Sequence, residues 1–150
     1  MYNVTAKDSA GNVSQSTAIT LSVDLVFLDV PATHTLFTRI GWLFEQGITS
    51  GYQTSAGAEY RPNNSVTRAE MATFLYRIAG APAFSPPAKS PFVDVATNAG
   101  SYKAVAWLAD QKISVDYQGK SGAEYRPNNS VTRGEMATFL YRIAEKSGLV

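Results

Sequence analysis

Val66-Thr67-Arg68-Ala69-Glu70-Met71 returns as Val131-Thr132-Arg133-Gly134-Glu135-Met136, 65 residues further on. Around it, Gly57 to Ala79 and Gly122 to Ala144 agree everywhere except Ala69 against Gly134. A repeat this close decides how the whole chain is read. Thr67 and Glu70 have the spacing of a capping box, in which each side chain bonds the other's backbone N–H. Val66 and Met71 are placed for a hydrophobic staple across that cap. Met71, Phe74, Leu75 and Ile78 follow at i, i+3, i+4 and i+7, one apolar helical face. Gly80 and Pro82 end the pattern. The spacing predicts a helix over about 68–79 and its copy over about 133–145. Loss of the Thr67 cap is expected to cost about 1 kcal/mol.

Arg68 and Arg133 are the odd residues, because a cation in the first helical turn opposes the helix dipole. Two readings stand. Each guanidinium pairs with a nearby carboxylate, such as Asp29 or Asp94, or stays solvated. Or each helps to hold an anion, since free N–H groups at a helix start attract one and a guanidinium fork suits a carboxylate or phosphate.

Composition narrows the field. The 150 residues suit one or two small domains, and a net charge of +1 gives no bulk attraction for nucleic acid. There is no cysteine, hence no disulfide framework and no thiol chemistry. No stretch is long and apolar enough for a membrane span. No basic segment followed by an apolar run opens the chain, so no signal peptide is visible in it. With one histidine, His34, neither a metal cluster nor a His-based triad repeated in both units can be built. His34 is expected at a loop or helix start, facing solvent. No catalytic residue, metal or cofactor is assigned.

Along the chain, residues 1–25 read as a β-hairpin: β-formers over Tyr2–Ala6, turn residues Lys7–Asn12, and alternation over Ser16–Asp24 with Ile19, Leu21 and Val23 on one face. Each repeat opens with Phe-x-Asp-Val, at Phe27–Val30 and Phe92–Val95. A helix follows, with a stripe of Leu36, Ile40 and Leu43 in one copy and Tyr102, Val105, Ala106 and Leu108 in the other. Trp42 and Trp107 are equivalent. Gly47 closes the first of these helices, whereas Lys112 stands at the matching place in the second. A short extended piece, Ala58 to Pro62, then leads into the capped helix. The fold expected is mainly α, two helix–loop–helix units with short β pieces, preceded by the hairpin. The divisions are 1–25, 26–80, a Pro-rich extended linker at 81–91, and 92–150.

The order Phe-x-Asp-Val, Trp-Leu helix, Gly-Ile-Thr-Ser-Gly-Tyr, Tyr-Arg-Pro, Val-Thr-Arg-Ala-Glu-Met-Ala-x-Phe-Leu resembles the S-layer homology repeat, in two copies over 27 to about 145. The terminal Phe-Leu-Tyr-Arg resembles versions in secreted proteins of Gram-positive bacteria, which the absence of cysteine suits. Residues Tyr2–Ser14 resemble the last two strands of bacterial immunoglobulin-like domains, which implies that the chain is the C-terminal piece of a longer surface protein. The S-layer homology resemblance implies an extracellular, wall-bound anchor whose repeats come in threes. Its ligand is a secondary cell-wall polysaccharide, acidic and commonly carrying pyruvate ketals. The Arg of the Thr-Arg-Ala-Glu motif contacts that ligand in grooves between repeats, which carries over to Arg68 and Arg133.

A ketal carboxylate suits one Arg with helix-start N–H groups, and sugar C–H faces pack on aromatic rings. Trp42, Trp107, Tyr52 and Tyr117 are therefore expected against ligand or in the core. Asp29 and Asp94 orient the Arg, bond sugar hydroxyls or cap a turn, and Glu70 and Glu135 are structural caps. Gly51 is expected to let the backbone approach the ligand or to adopt φ > 0, and in either case Asp116 in its place weakens the second site. Gly134 for Ala69 costs helix stability. The rival reading is a structural or protein-interaction module without sugar binding. A third is the targeting region of an enzyme whose catalytic domain lies upstream. An open Arg68 and Arg133 favour the anchor, paired and covered ones the rival. With only two repeats present, the face left for a third is expected to promote self-association.

Overall fold

The computed structural model describes residues 2–4, 8–13, 17–19, 26–114, 116–146 and 148. Strands β1 (Tyr2–Val4) and β2 (Thr17–Ile19) pair antiparallel, so the first segment does form a hairpin. Its turn is fixed by the Asp8 carboxylate, which accepts from the Ala10 and Asn12 amides. The expected apolar positions Leu21 and Val23 lie outside the described residues.

The first repeat consists of helix α1 (Phe37–Glu45), a hairpin of β3 (Tyr52–Thr54) and β4 (Gly57–Glu59), and helix α2 (Arg68–Ile78). The second repeats this as α3 (Tyr102–Asp110), β5 (Tyr117–Gly119), β6 (Gly122–Glu124) and α4 (Arg133–Lys146). Among the described residues, four helices and three two-stranded ladders make a mixed architecture with a modest excess of helix, so the expected helices and short β pieces are present but the fold is not clearly mainly α. The strands are short enough that each hairpin serves as a bracket for the loop beside it.

The capping box forms as the spacing requires. The Thr67 side chain accepts from the Glu70 amide, and the Glu70 carboxylate accepts from the Thr67 amide at 2.8 Å. The helix after it buries Met71, Ala72, Leu75 and Tyr76. These residues pack on α3, where Tyr102, Val105, Ala106 and Leu108 are buried as the stripe predicts and Trp107 is buried with them. The main core therefore lies between repeats, the second helix of one unit on the first helix of the next. Tyr76 meets Trp107 edge to face at 5.3 Å, a geometry that adds about 0.5–1.5 kcal/mol beyond area burial.

Segment 81–91 carries no regular structure but is tied down. Tyr76 donates its hydroxyl proton to the Pro82 carbonyl and Tyr102 to that of Pro87, while Phe84 packs on the core. A smaller core holds Phe27, Val30 and Ile40 in the first repeat. There the α1 stripe is buried at Ile40 alone, with Leu36 exposed.

Candidate functional site

The loop before each capped helix is shaped by the Asp of Phe-x-Asp-Val. Asp29 accepts from the Tyr60 and Arg61 amides at 2.8 and 2.6 Å, and Asp94 from those of Tyr125 and Arg126 at 2.8 and 2.7 Å. Arg61 and Arg126 need this hold, because both sit in the left-handed region, at φ 62° and 58°. Burial pushes the Asp29 carboxyl up, but the two amide hydrogen bonds outweigh it and leave it below the usual value. These aspartates cap a distant turn. Neither orients Arg68.

Arg68 corrects the expectation of an open groove. It is 1% exposed. Its Nη1 lies 2.5 Å from Glu135 Oε1, and its Nε donates to the Tyr125 carbonyl at 2.7 Å. The guanidinium stands 4.8 Å from the Tyr125 ring centre, 5.0 Å from Tyr117 and 5.6 Å from Phe139. Tyr117 donates its hydroxyl proton to the same Glu135 oxygen, and Tyr125 donates to the Arg68 carbonyl. Burial pushes the Glu135 carboxyl up. Hydrogen bonds from Tyr117 and Thr132, with the Arg68 charge, override this and bring it to about 2. Burial pushes the Tyr125 phenol up to about 12 despite Arg68 nearby.

The amides at the start of α2 are also spent. Arg68 N–H donates to the Asn129 carbonyl at 2.8 Å and Ala69 N–H to that of Pro127 at 3.0 Å. An anion at that helix start would have to displace both. The sequence names Glu135 as a cap only; its other oxygen reaches Arg68 of the preceding repeat, a pairing for which the sequence carried no signal.

Arg133 differs. It is exposed, and among the described residues no hydrogen bond or ion pair involves its side chain. Of the two places expected for the tryptophans, Trp107 takes the core, packed against Tyr76, whereas Trp42 is half exposed. Gly51 and Tyr52 come together on one wall of a groove of about 320 Å³ in the first repeat. Its floor carries Tyr60 and Phe74, and Arg61 stacks on the Tyr52 ring at 4.4 Å. Tyr52 donates its hydroxyl proton to Glu70. That bond pushes the phenol up; on the Glu70 side burial pushes the carboxyl up, but the Tyr52 bond together with the two from Thr67 outweighs it and holds the carboxyl down. Polar groups of Ser50, Asn64 and Arg77 border the opening. Gly51 has φ 64°, and a Cβ there would run into the Phe27 ring and come within 2.6 Å of the Glu59 carbonyl. The glycine is thus required by the loop's own packing. Arg61 and Asn64 were not singled out from sequence; the Tyr-Arg-Pro turn after an extended piece was their only signal.

Geometry and sequence agree with comparisons to known proteins. The family model of the S-layer homology domain matches residues 26–72 and 91–137. The chain belongs to that family, carrying two repeats of a cell-surface anchoring module. It is 29% identical over 96 residues to a "Cellulosome-anchoring protein" of Acetivibrio thermocellus, covering 63% of this chain and 21% of that protein. It is 35% identical over 119 residues to an "Endoglucanase" of a Bacillus species, covering 79% of this chain and 12% of that protein. The chain thus spans about a fifth or less of the curated relatives it matches. No helix among the described residues is long and apolar enough to cross a membrane.

Proposed function

We propose that this chain anchors a secreted protein of a Gram-positive bacterium to the cell wall by binding an acidic secondary polysaccharide, pyruvylated on its sugars. The observation that carries the reading is the groove of the first repeat. It offers an aromatic face for sugar C–H groups at Tyr52, a cation at Arg61 that is paired with Glu59 at 3.0 Å, and amide and hydroxyl groups in its lining. Arg133 and Trp42, both accessible, are further candidate contacts outside the groove. Arg68 acts at a distance, by holding the repeats together. The hairpin at residues 2–19 is read as the end of an immunoglobulin-like stalk. The named relatives support a cargo that is an enzyme or an enzyme assembly, carried by a part of the protein other than these repeats.

A second reading, a protein-interaction module, is favoured by one observation: Arg68 is paired and covered. The test is a pulldown with purified Gram-positive walls, before and after removal of the secondary polysaccharide or of its pyruvyl groups. Binding that is lost on removal, and lowered about tenfold or more by Tyr52→Ala, is the expected result. Binding that survives removal, or none to either wall, overturns the anchor reading.

A further inference from the structure

The contacts that join the two repeats have counterparts in each repeat that no described residue fills. Each counterpart is found by adding or subtracting 65. In the internal junction, Arg68 enters a socket made by Tyr117, Tyr125, Glu135 and Phe139. The same four positions in the first repeat are Tyr52, Tyr60, Glu70 and Phe74, and together they line the open groove. The residue that would enter it is the counterpart of Arg68, the exposed Arg133.

The backbone repeats the correspondence. Arg68 and Ala69 donate their amide protons to the Asn129 and Pro127 carbonyls. The matching acceptors are Asn64 and Pro62, both at the groove. The apolar faces do the same. Leu75 and Tyr76 are buried on α3 against Trp107, whereas Leu140 and Tyr141 on α4 are exposed, and so is Trp42 on α1. Trp42 borders a second groove of about 310 Å³, lined by Phe27, Val30, Phe37 and Ile40.

We infer that the second repeat of one copy of this chain docks on the first repeat of another copy. Arg133 enters the Tyr52–Glu70 socket, and Tyr141 meets Trp42 as Tyr76 meets Trp107. The occupant follows from the molecule itself, because each open face is matched residue for residue by the partner it already meets in the internal junction. Charge agrees, since Glu70 stays ionised and Arg133 brings a cation to it. The Tyr52 hydroxyl bonded to Glu70 stands ready to share the charge, as Tyr117 does beside Arg68. The contact is head to tail, so it grows along a chain of copies unless the rotation per step closes it. Wall ligand would use the same groove and the same arginine. The association is therefore measured without glycan, and its outcome is separate from that of the wall pulldown.

The experiment is sedimentation velocity from about 1 µM to about 1 mM, with Arg133→Glu and Trp42→Glu as variants. Both positions are exposed, and circular dichroism melting checks that both variants fold. The wild-type chain is expected to gain mass with concentration. Each variant alone is expected to associate at least about a hundredfold more weakly, Arg133→Glu because it removes one partner of a desolvated charge pair and Trp42→Glu because it removes an aromatic anchor. The two variants mixed are expected to form a species of two chains and nothing larger, since one intact plug then meets one intact socket. A wild-type chain that stays single throughout overturns the inference. So do variants that associate as well as the wild type, and a mixture that stays single.

Discussion

Tyr76 and Tyr141 stand at the same position of the two repeats, yet one is 8% exposed and the other 57%. Trp107 and Trp42 differ likewise, at 9% and 52%. The local sequence around α2 and α4 is nearly identical, so propensity, capping and periodicity cannot account for the contrast. What differs is the neighbour. The α2 helix has a following repeat to lie against and α3 a preceding one. Among the described residues, α4 and α1 have no such neighbour. Burial in this architecture is a property of the junction, as expected where each repeat cannot cover its own apolar face.

The largest effect expected from this contrast is at the tryptophans. Trp107→Ala should lower unfolding stability by about 3–5 kcal/mol, as large core truncations do. Trp42→Ala should stay within about 0.5 kcal/mol, as exposed substitutions do. Urea unfolding at low protein concentration, where copies stay apart, makes the comparison. Similar losses would mean that α1 is covered in a way the contacts do not show.

Much of this was legible beforehand. The capping box, the limits of α2 and α4 and the α3 stripe follow from spacing alone, because they depend on residues within a few turns. The partner of Arg68 was not legible. Its carboxylate lies 67 residues away in the next repeat, and Glu135 already had a sufficient local role as a cap. Asp29 and Asp94 looked equally suitable until the left-handed turns at Arg61 and Arg126 claimed them. The short β pieces were expected, but how far they make the fold mixed rather than mainly α was not legible, for a related reason. Gly-Ala-Glu and Tyr-Gln are too short to register as strands by periodicity, and only their pairing across a turn defines them.

The second prediction concerns acid. Glu135 titrates at about 2 in the folded chain against an ordinary 4.5. A depressed carboxyl contributes stability that is complete above about 4.5 and is lost as pH falls toward about 2. Denaturation midpoints measured at pH 6 and pH 3 should therefore drop for the wild type. They should drop less for Glu135→Gln, which removes this titration. An equal fall in both would assign the acid sensitivity elsewhere.

The smallest effects sharpen the comparison by making the repeats more alike. Lys112 holds φ 57° where the first repeat has Gly47 at φ 66°. Lys112→Gly should stabilise by about 0.5–1 kcal/mol, since the left-handed strain relieved outweighs the glycine's unfolded freedom. Gly134→Ala, with open space around its Cβ, should add about 0.5 kcal/mol through helix propensity. Thermal melting of both variants checks the signs.

The central claim is that one motif has two states in one molecule, locked at Arg68 and open at Arg133. Equilibrium unfolding of Arg68→Ala beside Arg133→Ala tests it most directly. Removing one partner of a buried pair typically costs several kcal/mol, so Arg68→Ala should lose about 3 kcal/mol and Arg133→Ala less than about 0.5. Equal losses in the two variants would contradict it.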